Sequence, residues 1–483
     1  MDMLIGDRWV SKPEKIEVRD PYNNHIIDTV PRATVEDVQA AIAAAEKGFA
    51  VSRRLPVHQR IAILYRTAEI VKEQQEAFAR TIAREGSKTI REARKEVARC
   101  INTLQISAEE ARRIVGETLP FDNMPGSENR VGYYYRVPIG IIVAITPFND
   151  PLNLVAHKLG PAIAGGNAVV LKPATATPLS ALKLGQAFLN AGLPPGILNI
   201  VTGYGHEIGD ALVTDERVRM ITFTGGYEAG LDITRKAGLK KIAMELGSNS
   251  PVIVLKDAPL EKAVEQTVSG AFWAAGQNCL GVQRVFVESP IFDKFTRRFV
   301  ERTRQLRVGD KLDERTDMGP MISEKEARRI EQWVQRAIEK GARLLTGGKR
   351  RGAIYEPTVL TDVPPGVEVD CQEVFAPVVS LYRVANLEEA IQRANQVPYG
   401  LQAGIFTRNI ELAFKAIREL EVGGVMINDS SDYRVDLMPF GGVKRSGLGR
   451  EGIKFALQEM TEPKVVCFQL DENWSQPFPF QPI

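Results

Sequence analysis

Ile141-Ile142-Val143-Ala144-Ile145 is an unbroken apolar run, and it opens a series. Ala168-Val169-Val170-Leu171, Leu198-Asn199-Ile200-Val201 and Met220-Ile221-Thr222-Phe223 follow, with helical spacing between them near Leu152 to Ala164, from Ser180 to Ala191 and from Ile208. Strands without polar alternation are buried on both faces, and strands alternating with helices form a parallel, doubly wound sheet. Such sheets take ligands at the carboxyl ends of their strands, often with a phosphate on a helix amino terminus. A second α/β series runs from Pro251-Val252-Ile253-Val254-Leu255 past Val425-Met426-Ile427. The fold class is therefore α/β with two doubly wound domains, and a site is expected between them.

Outside this frame, Val35 to Ala50, Gln59 to Arg84 and Ile90 to Val115 carry apolar residues at helical spacing with charges between them. They read as amphipathic surface helices. Arg130 to Pro138, with Tyr133, Tyr134 and Tyr135 after a Pro125-Gly126 turn, reads as a β-hairpin. Lys464-Val465-Val466-Cys467-Phe468 is a last apolar strand, which pairs either with that hairpin or with a neighbouring subunit. The tail beyond Asp471, with Trp474, Phe478 and Phe480 among prolines, packs on a neighbour or hangs loose.

A length of 483 residues calls for two or three domains. With 62 basic against 60 acidic side chains, no bulk charge argues for nucleic acid or an anionic membrane. Four dispersed cysteines without a CxxC pair speak against a disulfide framework or a thiolate metal site, so a reducing cytoplasm is expected. The amino terminus lacks a signal-peptide pattern, and the longest central apolar run is too short to span a bilayer.

The chemistry concentrates in Gly276-Gln277-Asn278-Cys279, a cysteine in a small-residue turn, downstream of an isolated glutamate in Met244-Glu245-Leu246-Gly247. A thiolate attacks electrophilic carbonyls when a base lies within reach. None of the four histidines shows the spacing of a metal site, which leaves a metal-free, carboxylate-assisted cysteine mechanism. Gly203-Tyr204-Gly205 with Gly209 misses the dinucleotide fingerprint by one residue, whereas Phe223-Thr224-Gly225-Gly226 follows a strand, opens a helix and could accept a pyrophosphate.

From Asn149 onward the resemblance is specific. Thr146-Pro147-Phe148-Asn149, Leu171-Lys172-Pro173-Ala174, Phe223-Thr224-Gly225, Glu245-Leu246-Gly247, Gly276-Gln277-Asn278-Cys279, Glu373-Val374-Phe375-Ala376-Pro377 and Pro439-Phe440-Gly441-Gly442 resemble, in order and spacing, the aldehyde dehydrogenase superfamily. The likeness covers roughly Met3 to Phe468. It implies a Rossmann-like cofactor domain (1–120 and 139–250, with 441–460 returning to it), a catalytic domain (251–440) and a β oligomerisation element (121–138 and 461–483), hence a homodimer or homotetramer.

The resemblance also implies roles. Cys279 attacks the aldehyde, Asn149 and the Cys279 backbone N–H hold the oxyanion, and Glu245 activates the water that hydrolyses the thioester. Lys158 lies near the site. Glu373 bonds the nicotinamide ribose with Phe375 beside it, while Thr146, Phe148, Leu246, Thr224, Gly225 and Gly226 line the rest of the cofactor site. Lys172 reaches the adenosine ribose, and Thr175 stands where many NAD-preferring members carry a glutamate. A hydroxyl there admits a 2′-phosphate, so NADP is expected, alone or alongside NAD. Departures are Gly226 where serine is usual, Ser248 where glycine is usual and Ala376 where glycine is usual; they bear on cofactor affinity rather than on reacting groups.

For the substrate, Arg434 in the insert Ser430 to Asp436 resembles the subgroup that oxidises lactaldehyde, sulfolactaldehyde, phosphonoacetaldehyde or glyceraldehyde 3-phosphate. Its fork of donors suits an anionic group. The competing role is a surface arginine paired with Asp432 or Asp436. His157 and Arg284 are further candidate donors, although the neighbours of Arg284 suggest a strand leading away. Asn278 stands where phosphate-binding members place arginine, which favours 3-sulfolactaldehyde or lactaldehyde. Rival readings are a CoA-acylating semialdehyde dehydrogenase, which would lack Glu245, and a catalytically silent homologue, which would lose Cys279, Asn149 or Glu245.

Overall fold

The computed structural model describes residues 1–471, so the expectation for Trp474, Phe478 and Phe480 lies outside the described residues. An eight-stranded sheet takes the spatial order Arg8–Val10, Met3–Ile5, Leu198–Ile200, Ala168–Lys172, Ile141–Ile145, Val218–Thr224, Lys241–Glu245, Gly447–Leu448. Its five central strands are parallel, and the strand order reverses between Ile141–Ile145 and Val218–Thr224. Alternate residues serve opposite faces. Val169 and Leu171 join one core, while Ala168 and Val170 join the other. Both faces are covered, which is why these strands read as continuous apolar runs.

A seven-stranded sheet follows, in the order Arg343–Thr346, Thr358–Thr361, Val378–Val384, Val282–Glu288, Ser250–Val254, Gln402–Phe406, Gly424–Ile427. Only its first pair is antiparallel. Here too Val252 and Val254 face one core and Ile253 the other. The chain leaves the first sheet after Glu245 and comes back to it at Gly447, which sits opposite Glu245. The outgoing and returning strands are bonded together: Leu246 N–H donates to Ser446 O (2.9 Å), and Ser446 Oγ donates to Gly247 O (2.8 Å).

The amino-terminal helices differ in detail from the sequence expectation. The stretch read as one helix from Gln59 to Arg84 is two, Val57–Glu73 and Gln75–Glu85, broken at Gln74 (φ −108°, ψ 20°). The third runs Ile90–Ala111 and opens on a capping box, Thr89 with Glu92.

In the small sheet, Arg130–Pro138 is the central strand. Its hairpin partner is Glu117–Leu119, upstream of the turn the sequence suggested, and Thr461–Gln469 of the same chain pairs along its full length. Val131, Val465 and Phe468 stay more than half exposed on it. Among the described residues no helix is long and apolar enough to cross a membrane.

Candidate functional site

The carboxyl ends of the first sheet supply most of the predicted residues. Thr146 to Asn149 follow Ile141–Ile145, Lys172 ends its strand, Thr224 precedes Gly225 and Gly226, and Glu245 ends Lys241–Glu245. The second sheet offers the amino ends of its strands, so Cys279 comes just before Val282–Glu288, and Glu373 and Phe375 before Val378–Val384. Two cavities meet between the sheets, of about 610 Å³ and 760 Å³, and Asn149, Glu245, Cys279, Thr224 and Leu246 line both.

The nucleophile turn is tightly constrained. Ala274, Ala275 and Gly276 are consecutive left-handed residues (φ 50°, 56° and 68°). At Gly276 a Cβ would lie 2.2 Å from the Ala376 carbonyl oxygen, so only glycine lets the turn rest on Ala376-Pro377. Gln277, itself buried, receives the Ile322 N–H at Oε1 (2.9 Å). Burial pushes the Cys279 thiol up to about 12, opposed by the Arg434 guanidinium.

Glu245 is 4% exposed, and its Oε2 has no hydrogen-bond partner. Burial, and then the charge of Glu451, hold its carboxyl well above the usual range, against Arg434 and Lys158. Glu451 is the centre of this charge cluster. It accepts from Lys158 Nζ (3.2 Å) and Arg434 Nη2 (3.0 Å), with Thr224 Oγ1 at 3.5 Å. Burial works against its ionisation, but Lys158 and Arg434 hold its carboxyl down at about 2.

The 610 Å³ cavity is the polar one. Arg434 lines it, 3.7 Å above the Phe440 ring, and keeps a buried Nε without a partner. Its carboxylate partner is Glu451, not Asp432 or Asp436. Asp432 accepts from Ser430 Oγ, and Asp436 Oδ1 gathers Arg99 Nη2 (2.8 Å), His157 Nε2 (2.9 Å) and Asn153 Nδ2 (3.2 Å).

Two expected substrate donors are corrected. His157 is fully buried behind Asp436 instead of at a tunnel mouth, because its helix face is packed and burial favours the neutral ring. Arg284 lies inside the second sheet. It donates to Asn249 Oδ1 (2.7 Å), Arg393 O (2.9 Å) and Ala394 O (3.1 Å), and burial lowers it to about 10. Lys158 is buried beneath the site in its pair with Glu451 and lines neither cavity.

In the 760 Å³ cavity, Phe148 meets Phe375 edge-on at 5.7 Å, and Thr146, Gly225, Gly226 and Glu373 complete the wall. The helix Tyr227–Lys236 starts at Gly226, whose Cβ position is open space. Glu373 accepts the Ser248 N–H (2.9 Å), and burial pushes its carboxyl up to about 7. At Gly247 a Cβ would lie 2.3 Å from the Glu373 carboxylate, so that glycine gives the carboxylate its place. Apolar walls, a helix amino terminus and the Glu373 carboxylate fit a nucleotide carrying ribose hydroxyls and a pyrophosphate. Lys172 donates to Pro173 O (3.3 Å), and burial with no carboxylate to offset it brings its pKa down to about 8. Thr175 Oγ1 donates to Gly203 O (2.9 Å).

Sequence reasoning missed Glu451 and Arg99. Glu451 follows a glycine-rich turn and Arg99 sits on an amphipathic helix, positions where a charge reads as solvated. No group of three or more His, Cys, Asp or Glu side chains placed to hold a metal occurs among the described residues.

Similarity to known proteins extends over nearly the whole chain. Residues 9–466 match the sequence model of the Aldehyde dehydrogenase family. Aspartate-semialdehyde dehydrogenase 1 of Pseudomonas canavaninivorans is 51% identical over 94% of this chain and 97% of its own length. The 3-sulfolactaldehyde dehydrogenase of Priestia aryabhattai is 48% identical over 97% and 98%. Among solved structures, NADP-dependent glyceraldehyde-3-phosphate dehydrogenase from Bacillus halodurans, complexed with NADP, superposes with a TM-score of 0.95 at 40% identity, covering 97% of this chain and 99% of that one.

Proposed function

This chain belongs to the aldehyde dehydrogenase family, and from that premise we propose that it oxidises a small anionic aldehyde to its carboxylic acid with NADP, or with NAD alongside it. The observation that carries the reading is the wall common to both cavities. A thiol, an unpartnered buried carboxylate and a side-chain amide stand where a nucleotide cavity meets a polar one that carries Arg434.

Cys279 Sγ adds to the aldehyde carbon as its proton passes to Glu245, which returns it to solvent before the hydrolytic step, and the product is a thiohemiacetal alkoxide. The Asn149 side-chain amide and the Cys279 N–H hold the new oxyanion, a contact typically worth about 10²- to 10³-fold in rate for each donor. When bound, the nicotinamide supplies a hydride acceptor, and the acyl group is left on sulfur as a thioester. Glu245 then takes a proton from water as the hydroxide adds to the thioester carbon, and the C–S bond breaks to release the acid and the Cys279 thiolate. A carboxylate held above its usual pKa is suited to that step. Glu245 also speaks against CoA as the acyl acceptor. Glu373 would accept from ribose hydroxyls, and Gly225 and Gly226 would receive the pyrophosphate. Lys172, lacking a carboxylate neighbour, supports a 2′-phosphate.

For the substrate, Arg434 lines the cavity that Cys279 also lines and keeps an unspent Nε donor, and Lys95 and Arg99 line the same cavity. 3-Sulfolactaldehyde is the preferred candidate, in line with the sulfolactaldehyde relative, and lactaldehyde is the neutral comparison. Aspartate semialdehyde is a second reading, favoured by that named relative and by Asp429 and Asp432 in the same cavity, which could receive its ammonium group. The exposed strand Thr461–Gln469 supports a homodimer or homotetramer, testable by sedimentation.

The deciding experiment measures kcat/KM for these three aldehydes with NADP and with NAD, for wild type and Arg434→Ala. A preference for the anionic substrates that collapses in the variant supports the reading. Equal use of all three by both proteins would make Arg434 purely structural, and no reduction of either nucleotide would end the proposal.

A further inference from the structure

One helix reaches the segment after Asn149, the substrate loop and the nucleophile turn. Along a single face of Ile90–Ala111 stand Glu92, Glu96, Arg99 and Thr103, at the spacing that places helical side chains in one row. Glu96 Oε1 accepts the N–H groups of Leu152 (2.8 Å) and Asn153 (3.0 Å), which caps the helix just after Asn149. Arg99 meets Asp436 in the substrate loop, and Thr103 Oγ1 donates to Asn153 Oδ1 (2.9 Å).

Glu92 does something separate. Its Oε2 accepts the Thr89 N–H of its own helix cap (2.7 Å), while Oε1 reaches across to the second half of the chain and accepts the N–H of Ala274 (2.9 Å). Ala274 is the first of the three left-handed residues that deliver Cys279. An alanine rarely adopts that conformation unless its surroundings over-determine it. Both partners are buried: Glu92 is 4% exposed and Ala274 3%. A backbone N–H there has no water to turn to.

We propose that Glu92 is a positioning residue, holding the nucleophile turn at a fixed place relative to the Asn149 turn that Glu96 holds from the same helix. The proposal rests on the assignment of Cys279 and Asn149 given above. Helix capping alone would need only the Thr89 bond, and the second carboxylate oxygen is what couples the helix to the thiol.

The test reads Cys279 directly. Alkylation by iodoacetamide, followed by peptide mapping at Cys279 from about pH 6 to 10 so that the thiolate fraction is sampled, is compared for wild type, Glu92→Ala, Glu92→Gln and Thr89→Ala. Melting curves and kcat with KM accompany it. In Glu92→Ala, alkylation is expected to slow and kcat to fall together by about ten- to hundredfold, with KM little changed, as for a misplaced reacting group. Glu92→Gln keeps an oxygen for Ala274 and is expected to recover most of both. Thr89→Ala is expected to lower the melting temperature without slowing alkylation.

Glu92→Ala that melts earlier yet is alkylated at the wild-type rate would overturn the proposal and leave a helix cap. If Glu92→Ala does not fold, Glu92→Asp takes its place, and wild-type alkylation in that shortened side chain overturns the proposal equally. Wild type that oxidises no aldehyde would end the functional reading above, while the alkylation comparison would still decide the role of Glu92.

Discussion

Replacing Glu451 by glutamine removes one negative charge and almost no volume. Two buried cations, Lys158 Nζ at 3.2 Å and Arg434 Nη2 at 3.0 Å, then lose their counter-ion. Breaking a buried pair this way costs about 3–5 kcal/mol, and the retained amide oxygen places the cost near the lower end, so the thermal midpoint should fall. The catalytic signature is separate. Glu245 is raised by burial and then by Glu451, and it is lowered by Arg434 and Lys158. A general base works only above its pKa. Deleting the anion and freeing the cations both lower that pKa, so the acid limb of the kcat profile should move to lower pH. Charge changes of this kind shift a carboxylate by about one to three pH units, or about 1.4 kcal/mol for each. The assay is kcat against pH normalised to its plateau, with the acid limb first assigned to Glu245 by its loss in Glu245→Gln. An acid limb that stays in place or moves to higher pH in Glu451→Gln would refute the reasoning.

Glu245→Gln should reduce steady-state turnover by about 10²- to 10⁴-fold while leaving a single-turnover burst of reduced nucleotide, seen by stopped flow. The raised folded pKa means the native state holds its proton longer than the unfolded chain, so ionised Glu245 costs stability as pH rises above the ordinary carboxylate range. The same variant should therefore melt higher than wild type at neutral pH. Thr175→Glu sets a carboxylate beside Lys172 and should move the NADP-to-NAD ratio of kcat/KM toward NAD by about ten- to hundredfold, one opposed charge being worth about 1–3 kcal/mol. Arg434→Ala removes the cation that opposes the rise of the Cys279 pKa, so alkylation of Cys279 at a fixed neutral pH should slow. Gly276→Ala meets the Ala376 carbonyl and requires another left-handed alanine, so it should lose activity and melt earlier, at a cost above about 1 kcal/mol.

What was legible in the sequence follows from how each signal arises. Ile141–Ile145 and the run from Ala168 to Leu171 could be read because burial on both faces leaves no polar position in them. The break at Gln74 could not, since glutamine is a good helix former and the neighbouring apolar spacing continues across it. Glu117–Leu119 is a three-residue strand exposed throughout, and it carries no alternation to detect. At the site, Cys279 and Glu245 stand out in the sequence as a cysteine in a small-residue turn and an isolated glutamate, and Asn149 through a family resemblance carried by short motifs. Glu451 does not, because a carboxylate gains its meaning from Lys158 and Arg434, which are distant in sequence and adjacent only after folding. Arg284 failed for the opposite reason. An arginine near Cys279 in sequence is turned by the strand into the interior, where backbone carbonyls take up its donors.

The two passes of the chain between the large sheets lie side by side, stitched by Leu246, Gly247 and Ser446 within a few residues of Glu245. A paired connection of that kind acts as a hinge pin. If one half of the molecule rocks against the other, the axis runs through the chemistry itself, where displacement is smallest and the outer rims travel furthest. Under such a rocking motion the two cavities would change most at their outer rims and least at the Cys279 and Glu245 wall they share.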